Sequence, residues 1–128
     1  MSPVKVTYSN QVTYIGNRPY AEVELFSPWG STGIFDTLVD TGADYLTLPS
    51  SVAGQVGITV TGSSITMKTA SGIMMGTLVP GISVVVEGQS VTVEVLFDSS
   101  NTTPPLLGRS CLLAAMEAGF NTTEWLWR

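Results

Sequence analysis

The chain has no histidine, one cysteine and few charged residues, and each shortage excludes a class of function. Without histidine there can be no Ser-His or Cys-His catalytic pair and no histidine-ligated metal. The lone Cys111 cannot form a disulfide within the chain, and its neighbours Leu112 and Leu113 indicate a buried thiol on a helix. Charged residues make up 12% of the chain against 44% apolar residues. A surface this poor in charge suits a chain that covers part of itself with a partner subunit.

Basic clusters and long apolar runs are missing as well. The net charge is −5 and the five Lys and Arg residues are scattered, which argues against nucleic-acid binding. No apolar run approaches the roughly 18 residues of a membrane span, and no secretory signal is seen. We therefore expect no membrane span and a cytoplasmic location. At 128 residues, the chain is expected to form a single domain, residues 1–128.

What the sequence does contain is a carboxylate in a Thr-Gly turn. Residues 38–49, LVDTGADYLTLP, place Asp40 between two apolar, strand-like segments. Gly42 permits a tight backbone path and lets other main chain approach closely. An ionised Asp in a buried turn is costly unless its charge is shared or hydrogen-bonded. Packing alone therefore does not explain Asp40, and the pattern favours a catalytic role.

Two other interpretations of these acidic residues are open at the level of sequence. Asp36, Asp40 and Asp44 are spaced four apart, which on a helix would form one acidic, metal-binding face. The β-branched residues between them and Gly42 argue against a helix, and the spacing does not match a calcium loop. We therefore expect no metal and no other cofactor. An isolated Asp-Thr-Gly also occurs in ordinary surface turns.

Alternation of polar and apolar residues predicts a mainly β structure. Strands are predicted at 4–8, 12–15, 20–26 and 34–39, and hairpins at 65–79 and 82–97 with turns at 70–72 and 87–90. A short helix is predicted at 50–56 and a longer one at 109–118, capped by Gly119. The longer helix has an apolar face of Leu112, Leu113, Ala115 and Met116. Residues 121–128 are expected to be extended.

Two short motifs in this order resemble the retropepsin-like aspartic proteases, in particular their small bacterial branch. The first is Asp40-Thr41-Gly42-Ala43-Asp44, and the second is Leu106-Leu107-Gly108, which leads into a helix. The resemblance covers roughly residues 20–120 and has the family's order and comparable spacing. It implies an all-β fold, a retropepsin-like (acid protease) closed β-barrel with a flap hairpin and one C-terminal helix. It also implies an aspartic endopeptidase that cleaves peptide or protein substrates as a homodimer.

The resemblance assigns roles to individual residues. In the implied mechanism, Asp40 of each of the two chains contributes one carboxylate to a pair that activates water. Thr41 would form a hydrogen bond across the twofold axis, Gly42 would let the substrate main chain pass close to the turn, and Asp44 would pair with Arg109 beneath the site. The implied substrate-binding residues are Leu38, Ala43, Ala70, Ser71, Gly72, Ile73 and Leu106, and the flap tip is formed by 70–72.

Two interpretations without hydrolysis remain beside this one. The chain could be a peptide-binding or assembly module that keeps the fold, or a β-sandwich subunit in which Asp40 is a turn residue. The sequence also departs from the viral enzymes, because only Gly72 lies at the hairpin tip and residues 125–128, WLWR, have no counterpart. We expect the segments around 4–8 and 125–127 to help pair the subunits, since apolar terminal strands left unpaired would aggregate.

Overall fold

Six strands close into a ring that forms the body of the molecule. The computed structural model describes residues 7–69 and 72–128. The strands are β1 (Asn10–Thr13), β2 (Tyr20–Ser27), β3 (Gly30–Ser31), β4 (Phe35–Val39), β5 (Leu46–Pro49), β6 (Ser63–Thr69), β7 (Gly72–Val86), β8 (Gln89–Asp98), β9 (Leu106–Leu107), β10 (Ala118–Phe120) and β11 (Glu124–Trp127). The main sheet has the order β3-β2-β4-β9-β5-β8-β7-β6, and β2 also pairs with β7. This last pairing closes the barrel, which confirms the predicted all-β fold.

The barrel interior is filled by the alternate, inward-facing side chains of these strands. Leu25 on β2, Leu46 and Leu48 on β5, and Phe97 on β8 are all fully buried. Leu107 on β9 is also fully buried, so the strand that carries the second motif is anchored in the core. The apolar residues on both sides of the Asp turn therefore hold its ends in fixed strands.

Strand β7 is longer than the sequence pattern indicated. Residues 73–79 and 82–86 were predicted as separate strands, but β7 runs without interruption from Gly72 to Val86. The register with β8 shifts between Val79 and Ile82, where Pro80 is exposed and Gly81 has φ +72°. A β-bulge absorbs the proline and the positive φ without ending the strand. The prediction of two strands was therefore wrong, and one bent strand joins the β6–β7 hairpin to the barrel.

Two helices accompany the barrel, α1 (Ser50–Gln55) and α2 (Arg109–Ala115). The predicted helix 109–118 ends three residues early, because Met116 is extended and Ala118 already belongs to β10. Cys111 and Leu112 are buried as expected, but Leu113 is 62% exposed and does not belong to the apolar face. Burial raises the pKa of the Cys111 thiol to about 12, so it is an inert packing residue.

A separate three-stranded sheet, with the order β1-β11-β10, packs on the barrel. Strand β11 is its central strand and is paired on both sides within the chain. Trp125 on β11 is fully buried, and its indole Nε1 donates a hydrogen bond of 2.9 Å to the Tyr20 carbonyl oxygen on β2. Most of the segment 4–8 lies outside the described residues. Residues 125–127 were expected to pair subunits because an unpaired apolar strand would aggregate. They lie in a strand that is already paired on both sides, so that reason does not apply.

Candidate active site

The Asp40 turn begins where β4 leaves the barrel. Leu38 and Val39 at the end of β4 pair in parallel with Leu106 and Leu107 of β9. The Asp40 amide donates a hydrogen bond of 3.0 Å to the Leu107 carbonyl oxygen. The two sequence motifs, more than sixty residues apart, are thus adjacent in the barrel, and the second one holds the main chain of the first.

Within the turn, the main chain folds back onto the Asp40 side chain. The Gly42 amide donates to Asp40 Oδ1 at 2.9 Å, and the Ala43 amide donates to the Asp40 carbonyl oxygen at 3.1 Å. A Cβ atom on Gly42 would lie only 3.1 Å from Asp40 Oδ1. Glycine at position 42 therefore leaves room for the carboxylate, which is half-buried.

Arg109 connects the turn to helix α2. Its Nη1 donates to the Thr41 carbonyl oxygen at 2.7 Å, and its Nη2 forms a hydrogen-bonded ion pair with Asp44 Oδ1. The Arg109 amide also donates to the Ala43 carbonyl oxygen at 2.9 Å. Arg109 and Asp44 have side chains that are 49% and 55% exposed. The expected pair is present in the structure, at the surface of the single chain.

Gly108 makes this connection sterically possible. A Cβ atom at this position would lie 2.3 Å from the Tyr45 carbonyl oxygen and 2.6 Å from the Tyr45 nitrogen. These are main-chain atoms of the segment that leaves the Asp turn, so they cannot rotate away. The glycine of the second motif therefore allows α2 to start directly against the turn, with the Arg109 side chain in reach of it.

The residues expected to bind substrate are distributed over three elements. Leu38, Ala43 and Leu106 are half-buried around the turn, whereas Ile73 on β7 is 71% exposed. Gly72 is exposed at the start of β7, with φ +134°. The expected flap residues Ala70 and Ser71 lie outside the described residues. Thr41 is exposed, and within 7–69 and 72–128 no hydrogen bond to its side chain is found.

A loop that sequence reasoning missed links the β6–β7 hairpin to β9. In this loop, residues 98–105, the amide and the hydroxyl of Ser99 both donate to the Met75 carbonyl oxygen of β7, at 3.1 and 2.9 Å. At its other end the Pro105 carbonyl oxygen accepts a hydrogen bond of 3.0 Å from the Leu38 amide. The only sequence signal was the turn-forming composition of residues 99–105, SSNTTPP, which is typical of any surface loop.

Two surface grooves lie away from this turn. One of about 520 Å³ is bordered by Trp29, Gly57 and Ile82, and one of about 480 Å³ by Val85 and Thr92; Phe26 borders both. Asp40 borders neither groove.

The comparison with protein families agrees with this geometry. A family model described as gag-polyprotein putative aspartyl protease matches residues 32–113, more than half of the chain. The chain belongs to this aspartyl protease family. No curated protein matches it.

The match to the aspartyl protease family covers both motifs and the elements between them. It begins just before β4, includes the Asp40 turn, the β6–β7 hairpin and the loop 98–105, and ends within α2. The three-stranded sheet lies outside the matched residues. No helix among the described residues is long and apolar enough to cross a bilayer.

Proposed function

We propose that the chain is an aspartic endopeptidase that acts as a homodimer, with Asp40 of each subunit in one active site. The observation that carries this proposal is the Asp40 turn itself, together with membership of the aspartyl protease family. One carboxylate lies at the mouth of a closed barrel, on a turn held by β9 and by Arg109. This construction fixes a carboxylate in space while leaving it open to a partner.

In the proposed mechanism, the two Asp40 carboxylates share one proton around a water molecule. One carboxylate takes a proton from the attacking water, while the other, protonated, polarises the carbonyl of the scissile amide. A single chain has one such turn, so a second copy related by a twofold axis must supply the other carboxylate. The exposed Thr41 side chains would form hydrogen bonds across this axis and stiffen both turns.

The remaining site residues have supporting roles in this proposal. Gly42 leaves space beside the carboxylate, and the pair of Asp44 and Arg109 holds the turn against α2. The hairpin of β6 and β7 would cover the bound peptide as a flap, with Gly72 and Ile73 of β7 near its tip together with 70–71. Leu38, Ala43 and Leu106 would line the subsites for side chains of the substrate.

Removing the ionisable group of Asp40 tests the proposal. Asp40→Asn should abolish the cleavage of a peptide library while the fold and the oligomeric state stay as they are, because the amide keeps the shape of the carboxylate. Asp36→Asn is the matched control, since Asp36 is an exposed carboxylate on β4, the strand that leads into the Asp40 turn. An inhibitor that mimics the tetrahedral intermediate of aspartic proteases should stop the wild-type activity.

The rival proposal is a peptide-binding or assembly module with the same fold. Such a module would bind peptides without hydrolysis and would not depend on Asp40. Peptide binding by a wild-type protein that cleaves nothing in the library would favour this rival. Near-normal cleavage by Asp40→Asn would show that Asp40 is not the catalytic carboxylate.

A further inference from the structure

Asp98 is a fully buried carboxylate outside the Asp40 turn. It is the last residue of β8 and is 0% exposed. Buried charges are costly unless hydrogen bonds replace their hydration. A buried ionisable residue at the end of a strand therefore requires a structural or functional reason.

The hydrogen bonds to the Asp98 carboxylate come from the loop that follows it. Oδ1 accepts from the amide and the hydroxyl of Ser100, at 2.9 and 2.7 Å, and Oδ2 accepts from the Thr103 amide at 3.0 Å. Burial raises the pKa of Asp98, but the hydrogen bonds from Thr103 and Ser100 outweigh it and lower the pKa to about 2. The side chain is thus an ionised anchor around which residues 98–103 are folded.

The anchored loop holds the β6–β7 hairpin. Ser99, next to Asp98, donates both its amide and its hydroxyl to the Met75 carbonyl oxygen. The Thr103 hydroxyl contacts the Met74 sulfur at 3.4 Å. Strands β7 and β8 are in close contact here. A Cβ atom on Gly76 of β7 would lie only 2.7 Å from the Phe97 carbonyl oxygen of β8. The hairpin is thereby attached to the loop through neighbouring residues on β7.

The same loop also leads to the Asp40 turn. After Thr103 the chain reaches Pro105, which accepts the amide hydrogen of Leu38, and then Leu107, which accepts that of Asp40. The Asp98 loop is therefore hydrogen-bonded to the hairpin through Ser99 and is covalently continuous with β9, the strand beside Asp40.

We propose that Asp98 is a positioning residue that fixes the β6–β7 hairpin relative to the Asp40 turn and thereby sets how tightly a peptide is held between them. This inference rests on the proposed function for its effect on peptide binding. Asp98 does not touch the reacting atoms, and it acts through Ser99 and Thr103. A residue that only stabilised the fold would change the stability of the whole chain without a selective effect on the hairpin.

Asp98→Asn is the first variant that tests this role. The amide can still accept from Ser100, but its NH₂ group faces the Thr103 amide, so a donor meets a donor and the loop loses one hydrogen bond. The expected result is a KM for peptide substrate raised about tenfold with kcat changed by less than about twofold, because the hairpin is held less firmly over the peptide while the reacting groups are untouched. Glu94→Gln is the matched control, because Glu94 is an exposed carboxylate on the same strand.

A second variant keeps the test valid if Asp98→Asn folds poorly. Ser99→Ala removes the hydroxyl hydrogen bond to the Met75 carbonyl oxygen and leaves Asp98 and its loop in place. It should raise KM in the same direction, by about three- to fivefold, because the Ser99 amide still holds Met75. A loss confined to kcat in either variant, or an unchanged KM in both, would overturn the proposal.

A measurement without catalysis separates this inference from the proposed function. Amide hydrogen exchange in Asp98→Asn should be accelerated more at residues 72–78 of the hairpin than at 84–86, where the same strand pairs with β2. Exchange that is accelerated equally along the whole of β7, or that is unchanged along it, would mean that Asp98 does not position the hairpin. If the hairpin responds as expected but wild-type protein cleaves no peptide, the proposed function fails while the positioning of the hairpin stands.

Discussion

At the scale of single residues, Arg109 has more contacts with the Asp turn than a plain ion pair would. It binds the Asp44 carboxylate and the Thr41 carbonyl oxygen through its side chain, and the Ala43 carbonyl oxygen through its amide. The guanidinium supplies several donors in a fixed plane, so it can bridge a side chain and a main-chain oxygen at once. Lysine could not reproduce this arrangement.

The solvent exposure of the Asp44–Arg109 ion pair determines how much it should contribute to the free energy of unfolding. Both side chains are about half exposed in the single chain, and solvent-exposed ion pairs contribute roughly 0–1 kcal/mol. In urea unfolding of the dissociated chain, Asp44→Ala should lower the free energy of unfolding by less than about 1 kcal/mol. Arg109→Ala should cost more, because it also removes the bond to Thr41.

A double-mutant cycle of Asp44→Ala and Arg109→Ala should give a coupling of about 0.5 kcal/mol. A coupling above about 3 kcal/mol would contradict the surface placement and would indicate a pair buried by a partner. Strict additivity would mean that the ion pair contributes nothing to stability.

A further prediction for a single residue concerns Asp98 and the stability of the fold at acidic pH. Its pKa is about 2 in the folded chain against 3.8 for the ordinary carboxyl group, so it stabilises the fold when ionised. This contribution, about 2 kcal/mol, is fully present above pH 3.8 and is lost as the pH falls toward 2. Asp98→Asn should therefore be less stable than wild type near neutral pH, and the difference should shrink in this acidic window.

Denaturant titrations of both proteins between pH 2 and 7 would measure this difference. Glu94→Gln should run parallel to wild type over the same range. A stability difference between Asp98→Asn and wild type that does not depend on pH would show that the ionised form of Asp98 has no special role.

At the scale of elements, β10 is an edge strand, and no strand among the described residues pairs with its outer side. The amides of Glu117 and Arg128 each donate to the carbonyl oxygen of the other residue. Along a β-strand, successive residues point their N–H and C=O groups to opposite sides. Ala118 therefore points its N–H and C=O away from β11. We propose that this edge pairs with its twofold copy, since β11 is already occupied on both sides.

Ala118→Pro tests this edge, because proline removes the outward N–H without touching the bonds to β11. Sedimentation should show a large shift from dimer to monomer, with unchanged far-UV circular dichroism. Thr13→Pro is the matched control, because it makes the same change on the opposite edge of the same sheet. A dimer that survives Ala118→Pro but not Thr13→Pro would place the interface on β1 instead.

At the scale of the whole molecule, the alternation of residues predicted a mainly β structure, and the resemblance to the retropepsin-like proteases predicted the closed barrel. The pairing of the Asp turn with Leu106-Leu107 was seen only in the structure. The early end of α2 could not be predicted, because pairing with Trp127 across the β10–β11 turn takes Ala118 into β10. Asp98 was missed since its burial depends on Ser100 and Thr103 folding over it, and no local pattern reports that. Leu113 is likewise left 62% exposed, whereas its neighbour Leu112 is buried.

The contact between Trp125 and Tyr20 has a consequence for the speed of folding. The two residues are 105 positions apart, so the chain must close a very large loop before the indole reaches its place. All-β chains dominated by such remote pairings fold in roughly milliseconds to seconds rather than microseconds. Stopped-flow refolding followed by tryptophan fluorescence should show a main phase in this slow range, and a microsecond phase that restores the full signal would contradict it. Until that loop closes, Trp125 cannot cover the start of β2, and apolar residues there stay exposed to solvent and to other chains. Aggregation should therefore be fastest during folding rather than from the folded barrel.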